Sequence, residues 1–112
     1  MDDVYRYSKR LIYTEGVRHL AQTAGAVWLI TLIDSHQGNP KARAEEFQVW
    51  RLVVNVADNT GVVTMTDGNN DTAIITQRIP YTDYAKAGED QCELYLVQTP
   101  GQPSVLMLPC EY

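Results

Sequence analysis

Asp67, Asn69 and Asp71, in the stretch TDGNND at 66–71, stand at the first, third and fifth positions of a calcium-loop pattern. An EF-hand loop also needs glycine at its sixth position and a bidentate glutamate at its twelfth. Counted from Asp67, those places hold Thr72 and Arg78. A cation where the clamping carboxylate belongs has the wrong sign, and the flanks read as strands rather than helices. Gly68 and the neighbouring asparagines tolerate positive φ, so the stretch reads as a hairpin turn and no metal is expected.

The other reactive side chains are similarly dispersed. His19 and His36 are the only histidines, and no zinc-ligand spacing joins them. His36 lies close to a helix end, where it suits the dipole. Cys92 and Cys110 form no C-x-x-C motif. A thiol nucleophile needs a histidine in reach, yet both histidines fall on predicted helices and both cysteines on strand ends. There is no G-x-S-x-G, no phosphate-binding glycine loop and no H-E-x-x-H. Asp83, Glu89, Asp90 and Glu93 are scattered carboxylates, not a paired acid and base. A non-catalytic chain without a cofactor is expected.

Charge says more about partners. Residues 1–51 carry seven Lys/Arg and six Asp/Glu, whereas residues 52–112 carry two and eight. The second half should therefore repel nucleic acid and anionic membrane and attract basic protein surfaces. An acidic surface also simply keeps a protein soluble. Arg6, Lys9, Arg10 and Arg18 make a small basic cluster near tyrosines, but with a net charge of −5 direct nucleic-acid binding is not expected. The longest apolar run, near 24–33, is too short to span a membrane. MDDVYRYSKR has two early acids and no apolar core, so it is not read as a signal peptide, and a cytoplasmic location is expected.

The elements that must position these residues follow from periodicity. The length of 112 residues suggests one domain, 1–112, with residues 1–12 set apart as an arm that either hangs loose or packs on the rest. Thr14 reads as an N-cap, with Glu15 in the first turn. Val17, Leu20, Ala21 and Ala24 make one helical face, and Gly25 a stop. AVWLITLIDSHQGNP is apolar all round; its length favours a buried helix over 26–37, with a strand over 27–33 as the alternative. After a polar loop the period changes to two. FQVWRLVVNV, GVVTMT, TAIITQRI, CELYLVQT and SVLML read as strands. The first is placed centrally because both of its faces carry apolar residues. The expected fold is α+β: two N-terminal helices packed on an antiparallel sheet of about five strands. In the last hairpin, a register centred near Gly101 sets Leu96 opposite Leu106, Leu94 opposite Leu108 and Cys92 opposite Cys110. Both cysteines then read as small core residues, close enough for a cross-strand disulfide but reduced in cytoplasm.

YTEGVRHLAQTAGAVWLI, FQVWRL, DGN, IPYTDY and LMLPCEY, in that order and spacing, resemble a family of small bacterial, plasmid and phage proteins known only as a domain of unknown function. The resemblance runs from about Tyr13 to Tyr112, and no single motif within it is specific. The family pattern has an aromatic at Val27, an acid at Thr31 and a serine at Cys110, which argues against an essential Cys110 thiol. The resemblance implies a domain carried on mobile elements and no activity.

The expected site is a partner-binding surface of Asp58, Asp67, Asp71, Tyr81, Asp83, Tyr84, Glu89, Asp90 and Glu93. The loop PYTDYAKAGED supplies the tyrosines, which either offer rigid contact area or tuck back over the sheet. The expected function is a non-catalytic acidic protein-interaction module. A phage or plasmid could use it to inhibit a host nucleic-acid-binding defence complex, as anti-CRISPR proteins do, with carboxylates standing in for phosphates. The alternative is a small enzyme or ligand-binding domain with a site between helices and sheet, lined by Trp28, Trp50 and His19 unless both tryptophans are core.

Overall fold

Thr14 turns the chain from strand into helix. The first strands, β1 (Val4–Arg6) and β2 (Leu11–Thr14), form an antiparallel hairpin. Thr14 has extended backbone, and its Oγ1 accepts the Val17 amide at 3.3 Å, capping α1 (Glu15–Ala24). Gly25, at φ 62°, ends α1 by donating its amide to the Ala21 carbonyl. Then α2 (Val27–His36) buries Leu29, Ile30, Leu32 and Ile33, so the apolar run is the helix its length favours. A short α3 (Pro40–Arg43), not anticipated from the sequence, starts at Asn39, whose Oδ1 accepts the Lys41 amide at 2.9 Å. The strands that follow are β3 (Phe47–Asn55), β4 (Thr60–Thr66), β5 (Ile75–Ile79), β6 (Gln91–Val97) and β7 (Ser104–Met107), with a 3₁₀ turn at Pro109–Glu111. This computed structural model describes residues 4–69, 72–82, 84 and 90–112.

The sheet has seven strands in the order β1-β2-β7-β6-β3-β4-β5. The five expected strands are present, but the sheet is larger than expected and mixed, because β2 runs parallel to β7. The segment read as a candidate arm supplies β1 and the start of β2, the two extra strands, and Leu11 within it is fully buried. Nor are the strands a simple meander. β6 pairs with β3 on the side opposite β4, which leaves β5 at an edge and makes the chain cross the sheet between them.

Alternation along β3 decides the layers. Trp50, Leu52 and Val54 are buried, whereas Arg51, Val53 and Asn55 are exposed. Helices lie on the first face, where the β3 residues join Val63, Met65, Leu94, Leu96, Leu106, Val17 and Ile33 in one core. β3 is central because it is paired on both edges, not because both its faces are covered. In the final hairpin Leu96 does face Leu106. The paired register stops at Met107, however, and Pro109 diverts the chain into the 3₁₀ turn. Leu94–Leu108 and Cys92–Cys110 are therefore not strand partners. Cys92 is buried, Cys110 is exposed, and no disulfide joins them. Among the described residues no helix is long and apolar enough to cross a membrane.

Candidate functional site

Two backbone hydrogen bonds gather part of the expected acidic surface at one end of the sheet. The Thr82 amide donates to the Asn59 carbonyl at 2.7 Å, and the Val54 amide to the Asp90 carbonyl at 2.8 Å. These bring Tyr81 and Asp90 to the β3–β4 turn that holds Asp58. Tyr81 is 64% exposed, with Val56 also exposed in the same turn region. Asp58 accepts the Thr60 hydroxyl at 2.7 Å and the Thr60 amide at 3.1 Å. Those bonds, the hydroxyl first, hold its carboxyl below the ordinary value of 3.8.

Three of the other expected contact residues, Tyr84, Asp67 and Glu93, do not join this group. Tyr84 is 1% exposed and belongs to the core, so it is not a surface anchor; of the two loop tyrosines, one projects and one tucks in. Asp67 lies at the opposite end of β4, where its Oδ1 accepts the Asn69 amide at 2.9 Å. Gly68 beside it has φ 84°, and a Cβ there would come within 2.9 Å of the Phe47 ring. The DGN stretch is thus a turn pressed onto an aromatic side chain. Glu93 lies mid-sheet on the helix-free face, bound to Arg51 at 2.5 and 3.1 Å, so its charge is matched. Asp71, Asp83 and Glu89 lie outside the described residues. The six described residues therefore do not make one continuous face.

Trp28, Trp50 and His19, the expected lining of a site between helices and sheet, are differently placed. Trp50 is 1% exposed, its Nε1 donates to Gln48 Oε1 at 2.8 Å, and its ring lies 5.7 Å from that of His36. Trp28 is half-buried against the core, and His19 is exposed on α1. His36 Nε2 is instead 2.6 Å from Gln77 Oε1, tying the end of α2 to the edge strand β5.

A cleft that the sequence did not reveal opens at the end of the molecule away from Asp58. Its inner part, about 340 Å³, lies between α2–α3 and the β6–β7 hairpin, lined by Arg10, Gln37, Gly38, Arg43, Gln98, Gln102 and Ser104. An adjoining recess of about 400 Å³ shares Arg43, Gln98, Gln102 and Ser104 and adds Glu46. Beneath it is a buried amide network. Gln37 and Gln48 exchange side-chain hydrogen bonds at 3.1 Å in each direction. Gln48 Nε2 also donates to the Ala42 carbonyl at 2.8 Å. Gln98 Nε2 donates to the Ala42 and Glu45 carbonyls. Arg10 is braced by Asp34, donating from Nε to Oδ1 at 3.3 Å and from Nη2 to the backbone carbonyl at 2.8 Å. No local spacing announces this cleft, since its residues come from four separate segments.

The two ends of the chain also meet. Thr14 Oγ1 donates to Glu111 Oε1 at 2.6 Å, and the Leu108 amide donates to the same oxygen at 2.9 Å. A Cβ on Gly16 would fall 2.7 Å from Glu111 Oε1, so a larger residue there would displace the Glu111 carboxylate. The YTEG and PCEY stretches are thus two halves of one contact. The model of a family of unknown function (DUF6876) matches residues 1–112. The chain belongs to the DUF6876 family. No curated protein and no solved structure matches it. In this DUF6876 member, YTEG holds the cap of α1, FQVWRL lies in the central strand, and PCEY supplies the carboxylate that clasps the cap.

Proposed function

We propose that this chain is a non-catalytic protein-interaction module whose acidic end engages a basic surface on a protein partner. What carries the reading is the meeting of Asp58, Asp90 and the projecting ring of Tyr81 at one end of the sheet. An exposed tyrosine flanked by carboxylates has the composition of a contact anchor with steering charge around it. The excess of carboxylates over cations in residues 52–112 supports the same polarity. The partner class is a nucleic-acid-binding host protein, and the mode is competition for its phosphate-binding surface by a mobile-element inhibitor, as in anti-CRISPR action.

The test is a tagged pull-down from bacterial lysate at low and high salt, read by mass spectrometry, with the Asp58→Lys/Asp90→Lys chain alongside. A nucleic-acid-binding protein should be held at low salt, released at high salt and lost by the reversed-charge chain. Both sites are exposed, so the melting temperature should stay nearly unchanged. Retention of the same partner by the reversed-charge chain would sink the reading.

A further inference from the structure

We infer that the cleft between α2–α3 and the β6–β7 hairpin binds the oxyanion group, phosphoryl or carboxylate, of a small polar ligand. Its inner part is lined by two guanidinium groups, three side-chain amides, a glycine and a hydroxyl, with no carboxylate among them. That is an unusual local balance in a chain of net charge −5. Planar guanidinium forks match the paired oxygens of carboxylate and phosphate.

Three observations give the lining a direction. Asp34 occupies Nε and Nη2 of Arg10, leaving Nη1 towards Gly38, where a Cβ would be 3.5 Å from it. The Arg43 guanidinium makes no hydrogen bond or ion pair among the described residues, although the backbone beneath it is fixed by Asn39, Gln48 and Gln98. Ser104 lines the cleft, and its hydroxyl makes no side-chain hydrogen bond among the described residues, so it stands open to the cleft. A hydroxyl open to the cleft can donate to a ligand oxygen. Since Asp34 offsets Arg10, the uncompensated charge is that of Arg43. The outer recess adds Glu46, so the body of the ligand extending there is neutral or cationic.

Binding should be readable away from the cleft. Gln37 both lines it and bonds Gln48, which holds Trp50 Nε1, so Trp50 emission should respond once Trp28 is replaced by Phe. The deciding experiment titrates the full chain with sodium phosphate and, separately, sodium acetate, against sodium chloride at matched ionic strength, following backbone amides by NMR. Saturable shifts confined to Gly38, Gln98, Gln102 and Ser104 are expected with at least one oxyanion, and the tighter of the two names the group. Arg43→Ala should weaken binding roughly tenfold or more, the loss of one charge-assisted contact. Ser104→Ala should weaken it less. Arg18→Ala, on α1 outside the cleft, should leave it unchanged, as should Asp58→Lys/Asp90→Lys, which separates this site from the partner surface. Failure of both oxyanions to saturate, or an Arg43→Ala curve matching the parent, overturns the assignment.

Discussion

Asp58 shows how one short turn can keep a charge in place. Its carboxylate is fully exposed, so the lowered pKa comes from the Thr60 hydroxyl and amide and not from burial. A depressed carboxylate stabilises the fold above its unfolded pKa and loses that contribution as pH falls through the folded value. For Asp58 the contribution is complete above the ordinary 3.8 and fades at more acid pH, so partner binding through this residue should not vary near neutrality. Thr60→Val removes the hydroxyl and keeps the amide. The Asp58 titration midpoint, followed by NMR of the carboxyl carbon, should move partway back towards 3.8. An unmoved midpoint would assign the shift to the backbone alone. Cys110 teaches the opposite lesson, because the hairpin register was right at Leu96–Leu106 and failed two residues later, where Pro109 cannot continue a ladder.

At the scale of elements, Gln48 joins the most parts. It sits on β3 with no exposure, holds the tail of α3 by the Ala42 carbonyl, pairs with Gln37 at the end of α2, and accepts the Trp50 indole. Every polar atom there is satisfied inside the protein, so a truncation leaves several unmet at once. Gln48→Leu should cost about 2–4 kcal/mol in urea unfolding, because buried donors and acceptors lose partners while volume changes little. A cost near zero would mean that water replaces the glutamine. The same substitution should loosen α3, weakening oxyanion binding although Gln48 does not line the cleft. From the sequence, Gln48 occupies the inward phase of a strand and looks like a break in an apolar pattern. Only its partners at Gln37 and Ala42, brought by two other elements, turn it into a junction.

At the scale of the molecule, the first strands close the sheet. β2 pairs with β7, Leu11 has no exposure, and Thr14 caps α1 while donating to the Glu111 side chain. A chain lacking residues 1–14 loses these together and bares Leu106, so it should show no cooperative thermal transition by circular dichroism. A sharp transition in that chain would show the first hairpin to be an accessory. The candidate surfaces also separate at this scale. Asp58, Tyr81 and Asp90 sit by the β3–β4 turn, and Arg10 and Arg43 sit by the β6–β7 turn at the other end of the same strands. The two can be tested by variants that do not disturb one another.

Residue order alone dictates what local physics controls. A threonine cap and a left-handed glycine bound α1, the period of two marked the five later strands, and asparagine–glycine chemistry marked the turn at Asp67. It also determined the charge imbalance between the halves. Tertiary structure decided which strands pair, because β2–β7 and β3–β6 contacts join residues far apart, and no local period records them. It decided that Tyr84 is core while Tyr81 projects, since alternation says nothing about a loop that crosses a sheet. It alone assembled the cleft, for Arg10, Gln37, Arg43 and Ser104 belong to four segments whose meeting depends on the order of strands and not on their spacing in the chain.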